Sequence, residues 1–237
     1  MGIAERALVL IAGQERLGGC VFIVGLIPAQ LHRTGGILGG RILGNQALIA
    51  DVEAAAGDVK NGIGLSAALG KGKSLPRSLI YVSTTGVYGD CGGAGIDETR
   101  RLNPESSRAG RRVDAERVLR AWGLRNGVAV SILRAPGIYA ADRLPVERLQ
   151  RGTPALLADD DVYTNHIHAD DLATACIAAL RRGRANRAYN VVDDSDLMMA
   201  EYFDLVADTF GLPRPPRISR SEAQQRLSEI GRASCRE

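Results

Sequence analysis

From Pro76 onward the chain alternates short apolar runs with longer helical patterns, and that alternation constrains its fold more than any other feature. Leu79-Ile80-Tyr81-Val82 is a compact apolar run of the kind buried on both faces of a parallel sheet. Pro104-Glu105 then predicts the start of a long helix, with Ala115, Val118, Leu119 and Trp122 at i, i+3, i+4 and i+7 on one face. Gly127 ends it, and residues 128–133 are the next strand. Asp170-Asp171 put two acids at the start of a helix through Leu180, where the helix dipole favours them. Residues 188–192 return as a strand, followed by a helix over about 198–210 that ends before Pro213, Pro215 and Pro216. Strands alternating with helices in this way predict an α/β fold with a doubly wound, mainly parallel sheet.

The first part of the chain is different in kind. Residues 1–50 hold 6 of the 57 charged side chains but 10 of the 28 glycines. Apolar runs at 7–12, 21–27 and 47–50 are candidate strands. Residues 57–70 make a weak helix, because Gly62 and Gly64 each cost about 1 kcal/mol against Ala. The longest uncharged stretch near the start, residues 17–31, has 15 residues and is broken by Gly18, Gly19, Gly25 and Pro28. A membrane-spanning helix needs about 20 apolar residues, so no membrane role is expected. Leu17-Gly18-Gly19-Cys20 has the form of a lipoprotein cleavage site, but Glu15 and Arg16 interrupt the apolar stretch such a signal requires. Arg6 likewise excludes a myristoylation signal at Met1-Gly2. Cys20, Cys91, Cys176 and Cys235 are widely spaced and read as reduced thiols of a cytoplasmic protein. The net charge of +3 is scattered, which gives no reason to expect a nucleic-acid partner.

Three local patterns carry chemistry when read alone. Ala67 through Gly72-Lys73-Ser74 fits a relaxed phosphate loop, yet a helix precedes it and Pro76 and a strand follow. That order is the reverse of what phosphate binding at a helix N-terminus requires, so it reads as a basic connection. His166-x-His168-x-Asp170 could present three metal ligands on one face of a strand, as some hydrolases require. Asp170 and Asp171 are better used at the helix start, so no metal site is expected. Cys176 lies four residues beyond Leu172 on a helix face and reads as a core residue. Ser83-Thr84-Thr85-Gly86-Val87-Tyr88-Gly89-Asp90 is the strongest signal. It sets hydroxyls at the carboxyl end of a parallel strand, where such sheets bind ligands, although a self-satisfying Ser/Thr turn would have the same composition.

Taken together, YVSTTGVYGD (81–90), DETRRLNPESSRAGRRVDAERVL (97–119), SILRAPGIYAADR (131–143) and TNHIHADDLATACIAAL (164–180), followed by AYNVVDD (188–194), resemble the extended short-chain dehydrogenase/reductase family of NAD-dependent epimerase/dehydratase type. The likeness covers roughly 76–212 and is nearest an atypical branch lacking the Tyr-x-x-x-Lys pair. It implies a Rossmann-like fold and a strand-end hydroxyl, here Thr84, that hydrogen-bonds the reacting oxygen of the substrate. In the family a Tyr four residues before a Lys then moves the proton, the Lys lowering the phenol's pKa. Arg108 and Arg112 stand at those two positions. Arginine stays protonated and cannot be a general base. The pair could grip a phosphate or carboxylate, or be exposed helix charges. Tyr88 could substitute as the proton carrier, or be a packed turn residue. Ser83 and Arg134-Ala135-Pro136-Gly137 match the segments beside the nicotinamide end of the cofactor, which makes Ser83, Arg134, Pro136 and Gly137 cofactor-binding candidates with Gly13 and Gly18.

The resemblance weakens at both ends. Gly13-Gln14-Glu15-Arg16-Leu17-Gly18 occupies the place of the family's glycine loop, with Glu15 where the middle glycine belongs; Thr34 to Gly40 is a second loop-like run. Only 71 positions separate Gly13 from Thr84, about one βα repeat short if a βαβ unit takes ~30 residues. The expected organisation is therefore a Rossmann-like domain over 1–192 with a shortened or altered 1–56, a partial C-terminal lobe over 193–230, and a non-native tail at 231–237. The resemblance implies NAD or NADP as cofactor and a nucleotide sugar or related hydroxyl compound as substrate; a homodimer through a pair of long helices is a candidate assembly. The alternative is a catalytically inactive nucleotide-binding or interaction protein, or an enzyme fragment with impaired cofactor binding.

Overall fold

A computed structural model describes residues 78–229, together with the strands β1 (His32–Thr34) and β2 (Ile37–Gly39), which pair antiparallel. The second loop-like run thus contributes strand backbone, whereas Gly13, Gly18, the candidate strands at 7–12, 21–27 and 47–50, the helix at 57–70 and the tail lie outside the described residues. The chain divides into two compact units. One runs through Pro136 and resumes at Asp170–Val191; the other holds Gly137–Ala169 and everything from Val192. Gly137–Ala169 joins the segment from Val192 in one unit, because its short strands pair with one another and with strands beyond 192.

The first unit is built on β3 (Ser78–Thr84), β4 (Ala129–Ala135) and β9 (Arg187–Asn190), all parallel in the order β3-β4-β9. Leu79, Ile80, Tyr81 and Val82 are all buried, with no alternation between faces, as the continuous apolar run predicts. The helix α1 (Ser107–Asn126) crosses from β3 to β4, and α3 (Ala169–Arg182) leads to β9. The Ser106 hydroxyl accepts from Ala109 N at 3.1 Å, capping α1, and Gly127 terminates it at φ 66°. The helix starts three residues later than Pro104, because capping at Ser106 decides the boundary.

The buried face of α1 also differs from the apolar stripe expected. It comprises Ala109, Arg112, Val113, Glu116, Leu119, Trp122 and Gly123, while Val118 is 38% exposed. Leu119 and Trp122 of the expected stripe are buried, but two charged residues that apolar periodicity does not mark share the core side. Gly123 lets the helix close onto β4: a Cβ there would lie 2.5 Å from Val130 Cγ2 and 2.8 Å from the Val128 carbonyl. The strand register sets Thr84 opposite Ala135, Ser83 opposite Arg134, and Arg134 opposite Asn190, so the carboxyl ends of all three strands stand level.

In the second unit, β5 (Gly137–Tyr139) pairs parallel with β8 (His166–His168), and β6 (Ala155–Leu156) parallel with β11 (Arg217–Ile218). β7 (Tyr163–Thr164) pairs antiparallel with β10 (Leu197–Met198). Helices α2 (Val146–Gln150), α4 (Met199–Thr209) and α5 (Arg220–Glu229) complete it. Its core gathers Leu149, Ala155, Ala200, Phe203, Val206 and Ala207. Among the described residues no helix is long and apolar enough to cross a membrane.

Candidate functional site

A buried polar network occupies the level strand ends of the first unit. Ser83 faces α1, where its hydroxyl donates to Glu116 Oε1 at 2.6 Å. Glu116 is 2% exposed, a position that strongly penalises a lone carboxylate. Arg134 supplies the counter-charge as a two-pronged pair, with Nε to Oε1 at 3.2 Å and Nη2 to Oε2 at 2.8 Å. Burial opposes the Arg134 charge, but its bonds to Glu116 and Tyr88 outweigh that and hold its pKa above the ordinary value. Its Nη1 donates to the Tyr88 hydroxyl at 2.8 Å, and that hydroxyl donates to Asn190 Oδ1 at 2.7 Å. The Asn190 backbone N–H in turn reaches Glu98 Oε1 at 2.7 Å. Three strand ends, one helix and two loops are thus joined by bonds with no buried charge left over.

Thr84 sits at the rim of this network. Half-buried at the end of β3, it is the N-cap of a short 3-10 turn, Thr85–Tyr88, and its Oγ1 accepts from Gly86 N at 3.2 Å. Accepting that bond leaves the hydroxyl proton to donate, and no acceptor for it lies among the described residues. Gly89, at φ 71°, closes the turn; a Cβ there would fall 2.2 Å from the Asn103 carbonyl, so the following loop packs tightly over it.

The structure separates the remaining candidates. Tyr88 is 2% exposed and its hydroxyl is bonded on both sides, so it is a packed network residue with no access to carry protons for a substrate. The Ser83 and Arg134 side chains turn inward onto Glu116. Gly137 opens β5, and a Cβ on it would lie 2.8 Å from His166 Cδ2; its smallness serves packing in the second unit. Pro136 is half-buried just after β4. Arg112 is buried, not an exposed helix charge, and its Nη1 donates to the Val82 carbonyl at 2.9 Å. Arg108 is exposed in the first turn of α1. Sequence reasoning missed Glu116, Asn190 and Glu98. Glu116 had a readable signal, since it stands one helical turn after Arg112 on the same face.

His166 and His168 lie on β8, and Asp170 in the first turn of α3. The His166 ring stacks on Tyr202 at 4.1 Å, and Tyr139 meets His166 and His168 edge-on at 6.2 and 5.2 Å. Among the described residues no three His, Cys, Asp or Glu side chains converge as a metal site would require. Cys176 is buried in α3, and burial pushes its thiol up to about 12, which suits a core thiol and not a nucleophile.

Residues 60–192, more than half of the chain, match the family described as "NAD dependent epimerase/dehydratase family". The chain belongs to that family. The resemblance to that family and the Rossmann-like α/β fold are both borne out. GDP-6-deoxy-D-mannose reductase of Pseudomonas aeruginosa is 25% identical over 175 residues, covering 65% of this chain and 58% of that protein. The structure of a functionally unknown conserved protein from Silicibacter pomeroyi DSS is 31% identical with a TM-score of 0.57, covering 68% of this chain and 55% of the other. The structure of RMD from Pseudomonas aeruginosa complexed with NADPH is 22% identical with a TM-score of 0.54, covering 66% and 59%, and shares the fold. This member of the epimerase/dehydratase family therefore spans little more than half the length of those relatives.

Proposed function

We propose that the chain binds NAD or NADP across the carboxyl ends of its parallel strands and acts on a nucleotide sugar or related hydroxyl compound by oxidation, reduction, epimerisation or dehydration. The placement of Thr84 carries this reading: a half-buried hydroxyl at a strand end, oriented as the cap of a turn and with its proton free to donate. Behind it, Ser83 is tied to Glu116, which Arg134 pairs in turn, so the strand end that bears Thr84 is braced from the next residue. The surroundings fit a dinucleotide in charge. Glu116 is the buried carboxylate of the described core, and Arg134 neutralises it, so it does not repel phosphates.

A nicotinamide bound there supplies hydride exchange with a substrate carbon. The chain's own part is to hold the reacting oxygen with the Thr84 hydroxyl and to attract anionic groups with Arg108. A cation in the first turn of a helix stands on the positive end of its dipole, and an anion bound beside it relieves that repulsion. Arg108 and Arg112 replace the phenol and ammonium of the ordinary proton-moving pair, and arginine is no general base. Proton transfer then falls to the substrate or solvent at this site.

A second reading, nucleotide binding without turnover, has one specific observation in its favour: Arg112 is bonded to the Val82 carbonyl and helps hold β3. Titration with NADH and NADPH, followed by cofactor fluorescence, tests the first step. Saturable binding is expected, and none at millimolar cofactor overturns both readings. Thr84→Ala should then lower turnover at least about tenfold while changing cofactor affinity less than about threefold, since it removes a bond made to the reacting oxygen. Turnover absent from the start, with cofactor bound, selects the second reading. The same proposal places the protein in the cytoplasm as a homodimer, to be checked by fractionation and by sedimentation.

A further inference from the structure

The second unit contains a cavity of about 220 Å³ that the dinucleotide reading does not use. Tyr139 and Tyr202 form ring walls, Leu144 and Val206 supply aliphatic surface, and Asp193 and His166 are its ionisable groups; no Lys or Arg lines it. His166 is the unusual member. Its side chain is largely buried, and the residue lines the cavity. It is held by shape: the ring lies against Tyr202 at 4.1 Å and over Gly137, where any Cβ would collide with it. A polar ring on the wall of a largely apolar cavity fixes the orientation of a guest by hydrogen bonding. Burial pushes the His166 pKa below its usual range, against the pull of Asp193, so the imidazole is neutral and offers one donor and one acceptor. Asp193 holds Ser195 N and Oγ on Oδ1, which leaves Oδ2 to accept.

We propose that this cavity binds an uncharged, unphosphorylated bicyclic heteroaromatic ring carrying a ring N–H. Size sets the ring count. A dry cavity of about 150 Å³ accommodates benzene, so the larger volume here suits two fused rings. The aromatic walls favour a planar guest. The absence of a lining cation and the presence of Asp193 exclude an anionic one. The guest's N–H reaches a carboxylate acceptor at Asp193, and its second nitrogen meets the His166 imidazole. This site is independent of the dinucleotide proposal, because it uses none of the same residues.

Benzimidazole is the probe, and 2-naphthoate is the anion of matching ring size. The full chain carries three histidines, His32, His166 and His168, so imidazole carbon–proton NMR resolves the outcome directly. Benzimidazole should shift the His166 signals saturably, whereas 2-naphthoate should not. His166→Phe keeps a stacked ring but removes both nitrogens, and it should weaken benzimidazole binding about fivefold or more, the worth of one net hydrogen bond. No His166 shift at millimolar benzimidazole overturns the proposal, as does equal response to 2-naphthoate or unchanged binding by His166→Phe. Should that variant fail to fold, the two-probe comparison on the unmodified chain still decides.

Discussion

The two units bury polar groups in opposite ways. In the first, Glu116, Arg134, Ser83 and Tyr88 are sealed in the core, and each satisfies another. In the second, His166 is packed among rings and lines a cavity. A closed network fixes geometry, because every member constrains its neighbours. An open one has capacity left for something else. The contrast separates side chains that brace a site from those available to occupy one, and it explains why Ser83, Tyr88 and Arg134, all suggestive in sequence, do not offer themselves to a ligand.

The sharpest way to break the comparison is to open the closed network. Arg134→Met removes the counter-charge and leaves Glu116 as an unpaired buried carboxylate, and breaking such a pair from one side costs about 3–5 kcal/mol. Urea unfolding should show that loss. Replacing both partners, Arg134→Met with Glu116→Leu, should recover much of it, because the desolvation penalty disappears together with the attraction. A double variant as unstable as the single one would mean that the network is held by packing and not by mutual charge.

A smaller effect is expected where packing, not charge, closes the same helix onto the sheet. Gly123→Ala places a methyl 2.5 Å from Val130 Cγ2 and 2.8 Å from a backbone oxygen, and overpacking of this kind costs about 1–3 kcal/mol even though alanine favours helices. An increase in stability would show that α1 can move away from β4 at no cost.

These two residues also mark how far the sequence could be read. Leu79-Ile80-Tyr81-Val82, the Gly127 stop and the strand-end Thr84 were legible because each depends on local chemistry: apolar run, left-handed glycine, hydroxyl register. The charged part of the core face of α1 was not. Glu116 and Arg112 look like solvent-facing charges until Arg134 and the Val82 carbonyl are brought to them by pairing of β3 and β4 across intervening chain. Burial of charge is a tertiary property, and hydrophobic periodicity has no term for it. The cavity was hidden for a related reason. His166 shows in sequence as a potential ligand spaced two from His168, but Tyr139 and Tyr202, which surround it, come from β5 and α4.

The smallest expected effect comes from the open side and concerns acid. Burial favours neutral His166, so its folded pKa lies below the ordinary value near 6.5 of the unfolded chain. Between those two values the unfolded state binds more protons than the folded one, and stability therefore rises with pH across that window. Acidification through about pH 6.5 should begin to destabilise the second unit, and the loss should level off once pH falls below the folded pKa. Asp193 tempers this by attracting the protonated ring, so Asp193→Asn should steepen the acid loss and His166→Phe should remove this component. Urea midpoints measured across that range for the three proteins give the sign. If the unmodified chain gained stability on acidification there, His166 would be stabilised as a cation, and the two units would bury their polar groups by the same rule of paired charge.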